Sequence, residues 1–295
     1  MATVQDIGRR IRSVTNTRKI TRAMELVAAA KLRRAQTRID AMRPYAERMQ
    51  ELMVGTARAS SSVRGLPLLQ RREISRAAIV PLTGDRGLAG AFNAQILREA
   101  FALERELRAD GTDVRWLVAG KKGTSSLRFR RYELVQSWAG FSDNPQYFNA
   151  QAIANRLAEL YSEQEVDQVF VIYNAFESAL VQRVTRQEVL PIPEQVLESG
   201  DDDQSEALLG DFIYEPEPEQ ILERLLPVYV ETELYRALLE SAASEQGARM
   251  TAMRNASKNA GELIEQLTLQ MNRARQAEIT QEILEVVAGA DALTQ

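Results

Sequence analysis

The sequence predicts an α/β fold: a long antiparallel coiled coil of N- and C-terminal helices with an inserted Rossmann-like domain of mostly parallel strands. Three observations carry this expectation. Both ends of the chain space their apolar residues as helices do over tens of residues, with few Gly or Pro. The middle shows short apolar runs separated by helical stretches, the alternation of a parallel sheet with helices on both faces. Linker-like segments divide the three regions. The boundaries are an N-terminal helix over residues 1–60, an inserted domain over 61–219 and a C-terminal helix over 220–295.

The first helix opens on Val4, Ile7, Ile11 and Val14, spaced as the seam of a coiled coil. That seam also argues against reading the Arg-rich start as a transit peptide. The stripe continues through Ile20, Met24 and Val27, then Leu32, Ile39, Met42, Met49 and Leu52. The long step from Val14 to Ile20 breaks the heptad and predicts an irregular supercoil there. Pro44 is expected to kink the helix or mark where it leaves its partner. Ser60 to Ser62, Gly65 and Pro67 form a linker.

Four buried strands are then expected, at Ala77 to Leu82, Val114 to Gly120, Tyr132 to Trp138 and Val166 to Phe176. Helices at Gln95 to Ala109 and Gln151 to Glu163 separate them. The alternating "LVQRVTRQEVLPI" reads as an antiparallel strand ended by Pro191 and Pro193. An acidic loop follows from Gly200 to Gln204. The last helix begins near Gln220 and runs to about Val287; about 65 residues at 1.5 Å each span roughly 100 Å. It closes on "RQAEITQEILEVVAGA", where Arg275 and Gln276 precede an apolar stripe at Ile279, Ile283, Val286 and Val287. That stripe is expected to pack on the N-terminal helix.

Composition narrows the function. The 295 residues are 45% hydrophobic and 26% charged, as in ordinary globular chains. A net charge of −4 argues against a dedicated nucleic-acid binder. The charge is unevenly spread: basic residues outnumber acidic ones from Met1 to Arg58, and no Lys or Arg occurs from Gln187 to Glu223. Cys and His are both absent, which removes thiol chemistry, the commonest general base and the commonest metal ligand. No apolar run is long enough to span a membrane, so membrane contact would go through partners.

Three motifs each admit a functional and a plainer reading. "GDRGLAG" (Gly84 to Gly90) sits where a dinucleotide fold keeps its phosphate loop, but its glycine spacing differs and Asp85 stands where phosphate would approach. It reads better as a tight turn exposing Asp85 and Arg86, used for protein contact. "GKKG" (Gly120 to Gly123) offers Lys121 and Lys122 to an anion, though such pairs are usually solvated. "ITRAMELVAAAKLRRAQ" (Ile20 to Gln36) joins alanines that permit close helix approach to a basic face at Lys31, Arg33 and Arg34. That face is either solvated or a track for acidic loops. The residues alone leave open a nucleotide-binding sensor and a coiled-coil adapter.

With these motifs the chain resembles the gamma subunits of bacterial F-type rotary ATP synthases. The resemblance runs the whole length: "TRKITRAMELVAAAKLRRAQ", "GDRGLAGAFN", "IYEPEPE", "YRALLESAASEQGARMTAMRNASKNA" and the closing "ITQEILEVVAGADA" occur in the family's order. It implies a central stalk coupling proton or sodium flow to ATP synthesis or hydrolysis, with no catalytic residue, cofactor or metal in this chain. The implied partners are the alpha and beta subunits of the catalytic ring, the epsilon subunit and the membrane ring of c subunits. Arg275, Gln276, Met24, Lys31, Arg33, Arg34 and Arg86 match positions that contact beta. Tyr214 and Glu215 match foot positions near the c ring and epsilon. The implied location is peripheral, at the cytoplasmic face of the bacterial membrane. The thiol switch of chloroplast members is excluded by the lack of Cys.

Overall fold

A computed structural model describes residues 3–60, 65–179, 181–193, 196 and 216–294. The chain runs α1 (Val4–Ala59), β1 (Arg76–Pro81), α2 (Phe92–Ala109), β2 (Asp113–Ala119), α3 (Lys121–Phe129), β3 (Leu134–Trp138), α4 (Tyr147–Ser162), β4 (Gln168–Phe176), β5 (Gln182–Leu190) and α5 (Pro218–Thr294). Packing divides it into two compact units: residues 1–28 with 250–295, and residues 29–249. Pro44 and Pro227 lie inside helices that continue through them. Among the described residues, no helix is long and apolar enough to cross a membrane.

The larger unit is built on one five-stranded sheet in the order β3-β2-β1-β4-β5. β1 pairs in parallel with β2 and β4, β2 in parallel with β3, and β5 runs antiparallel to β4. A parallel sheet must be covered on both faces, and side chains alternate between them. Accordingly, Ala78 and Val80 of β1 join Leu117, Val169 and Val171 in a core shared with α4 and with Met49, Met53, Leu222, Leu226, Val230 and Leu234 of the long helices. Ala77 and Ile79 point the other way, into a core with Ile96, Ala100 and Leu103 of α2, Leu127 of α3 and Trp116. From Ala77 to Pro81 the central β1 is buried throughout, as its apolar run requires.

The smaller unit is an antiparallel helix pair. Arg254 Nε donates to Glu25 Oε1 at 3.0 Å, Arg18 Nη1 lies 3.7 Å from where a β-carbon would stand on Gly261, and residues Thr3 to Arg12 share a shallow depression with Met271 and Glu278. One helix rises in number as the other falls. The inward positions of α5 follow strict alternating steps of three and four: Met250, Met253, Ser257, Ala260, Ile264, Leu267, Met271 and Ala274 are buried or half-buried. This is the heptad of a coiled coil.

On α1 the seam corrects two expectations. It does not break after Val14. The inward positions continue in sevens as Ile7, Val14, Thr21 and Ala28, with Glu25 also buried. Polar residues occupy seam positions, while Ile20 and Val27 stand 60% and 56% exposed. Leu52, in the larger unit, is likewise exposed rather than inward. The second correction concerns the end of α5. Ile279, Ile283, Val286 and Val287 do not pack on α1; all are exposed. α1 begins at Val4, opposite the Met271 to Glu278 region, and the following turns of α5 have no α1 residue to meet.

One glycine tests the sheet's upper edge. Gly120 has φ +99°, and a β-carbon there would lie 2.0 Å from the carbonyl oxygen of Thr83. Backbone cannot retreat as a flexible side chain does, so Gly120→Ala is expected to destabilise the chain by about 3 kcal/mol or more. Urea unfolding of the purified chain measures this; an unchanged midpoint would contradict the geometry.

Candidate functional site

Strand order reverses between β1 and β4, and at such a switch point an open α/β sheet leaves a ligand crevice beyond the carboxyl ends of its strands. Here α5 fills it. Ser241 Oγ donates to the carbonyl of Leu82 just after β1, and the Glu245 carboxylate sits 2.8 Å from where a β-carbon on Gly84 would be. A β-carbon on Gly247 would stand 3.3 Å from the carbonyl oxygen of Ala179, beyond β4. Glu245 is almost fully buried; burial raises its pKa, and the adjacent Arg249 only partly opposes this.

The "GDRGLAG" turn is therefore not the exposed pair expected from sequence. Asp85 is half-buried and turned inward. Its Oδ2 accepts N–H bonds from Gly140 at 2.8 Å and Ser142 at 3.1 Å, and its Oδ1 accepts from Lys121 at 3.0 Å. Its own N–H donates to Ser142 Oγ at 2.8 Å. The amino end of α3, where "GKKG" suggested an anion, is thus capped by this chain's own carboxylate. Arg86 alone remains outward, 76% exposed.

A second carboxylate carries the same segment to the long helices. Asp143 lies between β3 and α4. Lys31 Nζ donates to its Oδ2 at 2.6 Å, and Gln246 Nε2 donates to its Oδ1 at 2.7 Å. Arg86 and Arg249 stand 3.8 Å away. Beside it, Arg38 donates to Asn144 Oδ1, to the carbonyl of Pro145 at 2.8 Å and to Tyr235 at 3.2 Å. Residues Gly140 to Pro145 form a strap, tied to β1's loop by Asp85 and to α1 and α5 by Asp143 and Arg38. Burial opposes ionisation of both aspartates. N–H donors to Asp85, and Lys31 with the two arginines at Asp143, outweigh it and hold both pKa values below the ordinary 3.8.

The residues assigned to beta contact fall into both units. In the larger one, Lys31 is half-buried against Asp143, Arg34 is exposed, and Arg33 lines a depression of about 910 Å³ with Asp40, Arg43, Arg236 and Glu240. Helical geometry sets Lys31 and Arg34, three residues apart, on one face and turns Arg33 away from Lys31. In the smaller unit, Met24 is half-buried beside the seam. Arg275 and Gln276 are exposed immediately after Ala274, the last inward position of α5, and Arg275 has no ion-pair partner among the described residues. Tyr214 and Glu215 lie outside the described residues. Sequence reasoning missed Asp143 and Arg38; "SDNP" carries only the signal of a turn.

The fold defines an α/β protein with two long terminal helices whose ligand crevice is filled by its own last helix. The comparisons agree. A family model described as ATP synthase matches residues 3–293. ATP synthase gamma chains of Moorella thermoacetica and Rubrobacter xylanophilus are 47% and 45% identical; each alignment covers 99% of this chain, and 100% and 99% of theirs. A chain from the central stalk and c-ring structure of the Tetrahymena thermophila mitochondrial ATP synthase matches at TM-score 0.58 and 30% identity, covering 81% of this chain and 99% of that one. A chain of the Euglena gracilis mitochondrial enzyme in rotational state 3 shares the fold at TM-score 0.70 and 17% identity, over 98% of this chain and 94% of that one. The chain belongs to the gamma-chain family of ATP synthases.

The strap gives a prediction. Asp85 has a lowered folded pKa, so its stabilisation is present above the unfolded value near 4 and is lost as pH falls through the folded one. Asp85→Asn should cost about 1–3 kcal/mol at pH 7. The gap to wild type should narrow below about pH 4. Urea midpoints at pH 7 and pH 3 measure it, and a gap independent of pH would remove the charge from the account.

Proposed function

We infer that this chain is the central rotor shaft of an F-type ATP synthase, transmitting rotation between the membrane c ring and the catalytic alpha/beta ring. In this reading proton or sodium flow is coupled to ATP synthesis or hydrolysis by the assembly, and no residue of this chain does the chemistry. The chain is peripheral, at the cytoplasmic face of a bacterial membrane, and meets the membrane through its partners. Epsilon and the c ring take the foot, where Tyr214 and Glu215 are assigned.

One observation supports the reading above the rest. The coiled-coil seam ends at Ala274, yet α5 continues, with Ile279, Ile283, Leu284, Val286 and Val287 all exposed. A contiguous apolar helix end in water is costly unless something covers it. A surrounding ring of subunits is a fitting cover. The mechanism then follows from symmetry. Three identical catalytic sites differ only if something asymmetric touches each differently, and it shifts each site by its differential interaction with that site's states. A single helix end has no threefold symmetry. Turning it presents Arg275 and Gln276, and then Met24 with the basic residues Lys31, Arg33, Arg34 and Arg86, to one beta subunit at a time.

Arg275 suits a latch because its planar fork holds a carboxylate with two parallel bonds and stays charged at working pH. Arg275→Ala should lower ATP turnover of the assembled complex by about three- to tenfold, the worth of a charged hydrogen bond only partly expressed in the rate. Arg275→Lys should rescue part of this, since a point charge lacks the fork. Helicity of the isolated chain should not change. If both variants match wild type in synthesis and hydrolysis, the latch is absent.

A further inference from the structure

The cations assigned to ring contact are not all free. Lys31 Nζ donates to Asp143 Oδ2 at 2.6 Å, and Arg86 Nη1 stands 3.8 Å from the same oxygen. The other oxygen faces inward: Oδ1 accepts from Gln246 Nε2 at 2.7 Å and has Arg249 Nη1 at 3.8 Å. The two sets of partners differ in burial. Gln246 and Arg249 are 1% and 8% exposed, whereas the Lys31 and Arg86 side chains are 36% and 76% exposed. One oxygen is fixed to α5. The other holds two cations that have room to move.

We propose that Asp143 is an internal counter-ion that holds Lys31 and Arg86 until an acidic surface of the catalytic ring takes them, so that each contact is an exchange of one carboxylate for another. This rests on the reading of Lys31 and Arg86 as ring contacts. Exchange leaves neither side stranded. When Lys31 departs, Gln246 and Arg249 stay on Oδ1, so the half-buried carboxylate keeps partners and avoids the cost that makes buried pairs hard to break. The outer pair is of the exposed kind, weak enough to be traded. A rotor contact must also be released on every turn. A competitor inside the shaft weakens each contact and gives the released cation somewhere to go. Arg33 and Arg34 are not paired with Asp143, so the exchange is confined to Lys31 and Arg86.

The test is acylation of lysine amines in the full-length chain, read by mass spectrometry, alone and assembled with alpha and beta subunits. Wild type, Asp143→Asn and Asp143→Glu are compared. Asn removes the charge but keeps an acceptor for Gln246. In the isolated chain, Asp143→Asn should raise the labelling rate of Lys31 by about two- to fivefold, the range of an exposed pair. Asp143→Glu should restore protection, and Lys19 and Lys258 should not change. After assembly, Lys31 should be labelled slowly in all three. Equal labelling of Lys31 in isolated wild type and Asp143→Asn overturns the proposal. If Asp143→Asn exposes Lys31 but assembly fails to cover it, the ring contact itself falls and the exchange with it, while the isolated-chain difference survives to separate the two failures. Faster labelling of Lys121 and Lys122 as well would mark a variant that has lost its fold. Wild type at rising salt then decides: Lys31 must become more reactive relative to Lys19, the reference chosen because Lys258 itself stands 3.9 Å from Glu262, and no relative change overturns the proposal.

Discussion

The carboxyl edge of the sheet is where a doubly wound fold leaves a crevice, and here a helix fills it. Much of the larger unit follows from that closure. The loops at this edge end in backbone groups that need partners. An apolar helix could not supply them. Ser241 Oγ and Arg249 Nη2 accordingly donate to the carbonyls of Leu82 and Gly87, each at 3.3 Å, while Ser244 Oγ, Glu245 Oε2 and Gln246 Oε1 are buried between them without a hydrogen-bond partner among the described residues. Gly84 answers by lacking a side chain: a β-carbon there would stand 2.8 Å from Glu245 Oε1. Once α5 is seated, Gln246 and Arg249 are in place to meet Asp143, and the strap between β3 and α4 acquires its second anchor.

The smaller unit works by other rules. The seam of its coiled coil mixes Ala260, Met253 and Met271 with Ile264 and Leu267 on one helix, against Ile7, Val14, Thr21 and Ala28 on the other. Thr21 and Glu25 lower its stability but fix which residues face each other, because Glu25 is satisfied only when Arg254 and Arg22 reach it. Burial alone would raise the pKa of Glu25; the two arginines reverse that and keep it charged. Register, more than strength, is what such a seam specifies.

Much of the fold was legible in the sequence because buried parallel strands and long helices leave strong apolar patterns. β1, β2, β4 and the antiparallel β5 all fall on the runs that suggested them. α3 was missed, since "KKGTSSLRF" buries only Leu127 and Gly123 and shows no stripe. The seam of α1 was misread at Ile20 and Val27 because a hydrophobic count cannot see that Thr21 and Glu25 lie inside when Glu25 has an arginine waiting on another helix. Distance along the chain hid the strap as well. Asp85 meets Ser142 across 57 residues and Lys31 meets Asp143 across 112, and no local pattern records such a pairing. The overhang of α5 was visible as an apolar stripe, but not that α1 would stop short of it.

That overhang also governs the chain before it has partners. Five large apolar side chains stand in water at one end of a helix, and none of the described residues of the helix pair covers them. Two free copies can bury this surface against each other, and a protease or chaperone can grip it. A copy made in excess is thus a sticky one.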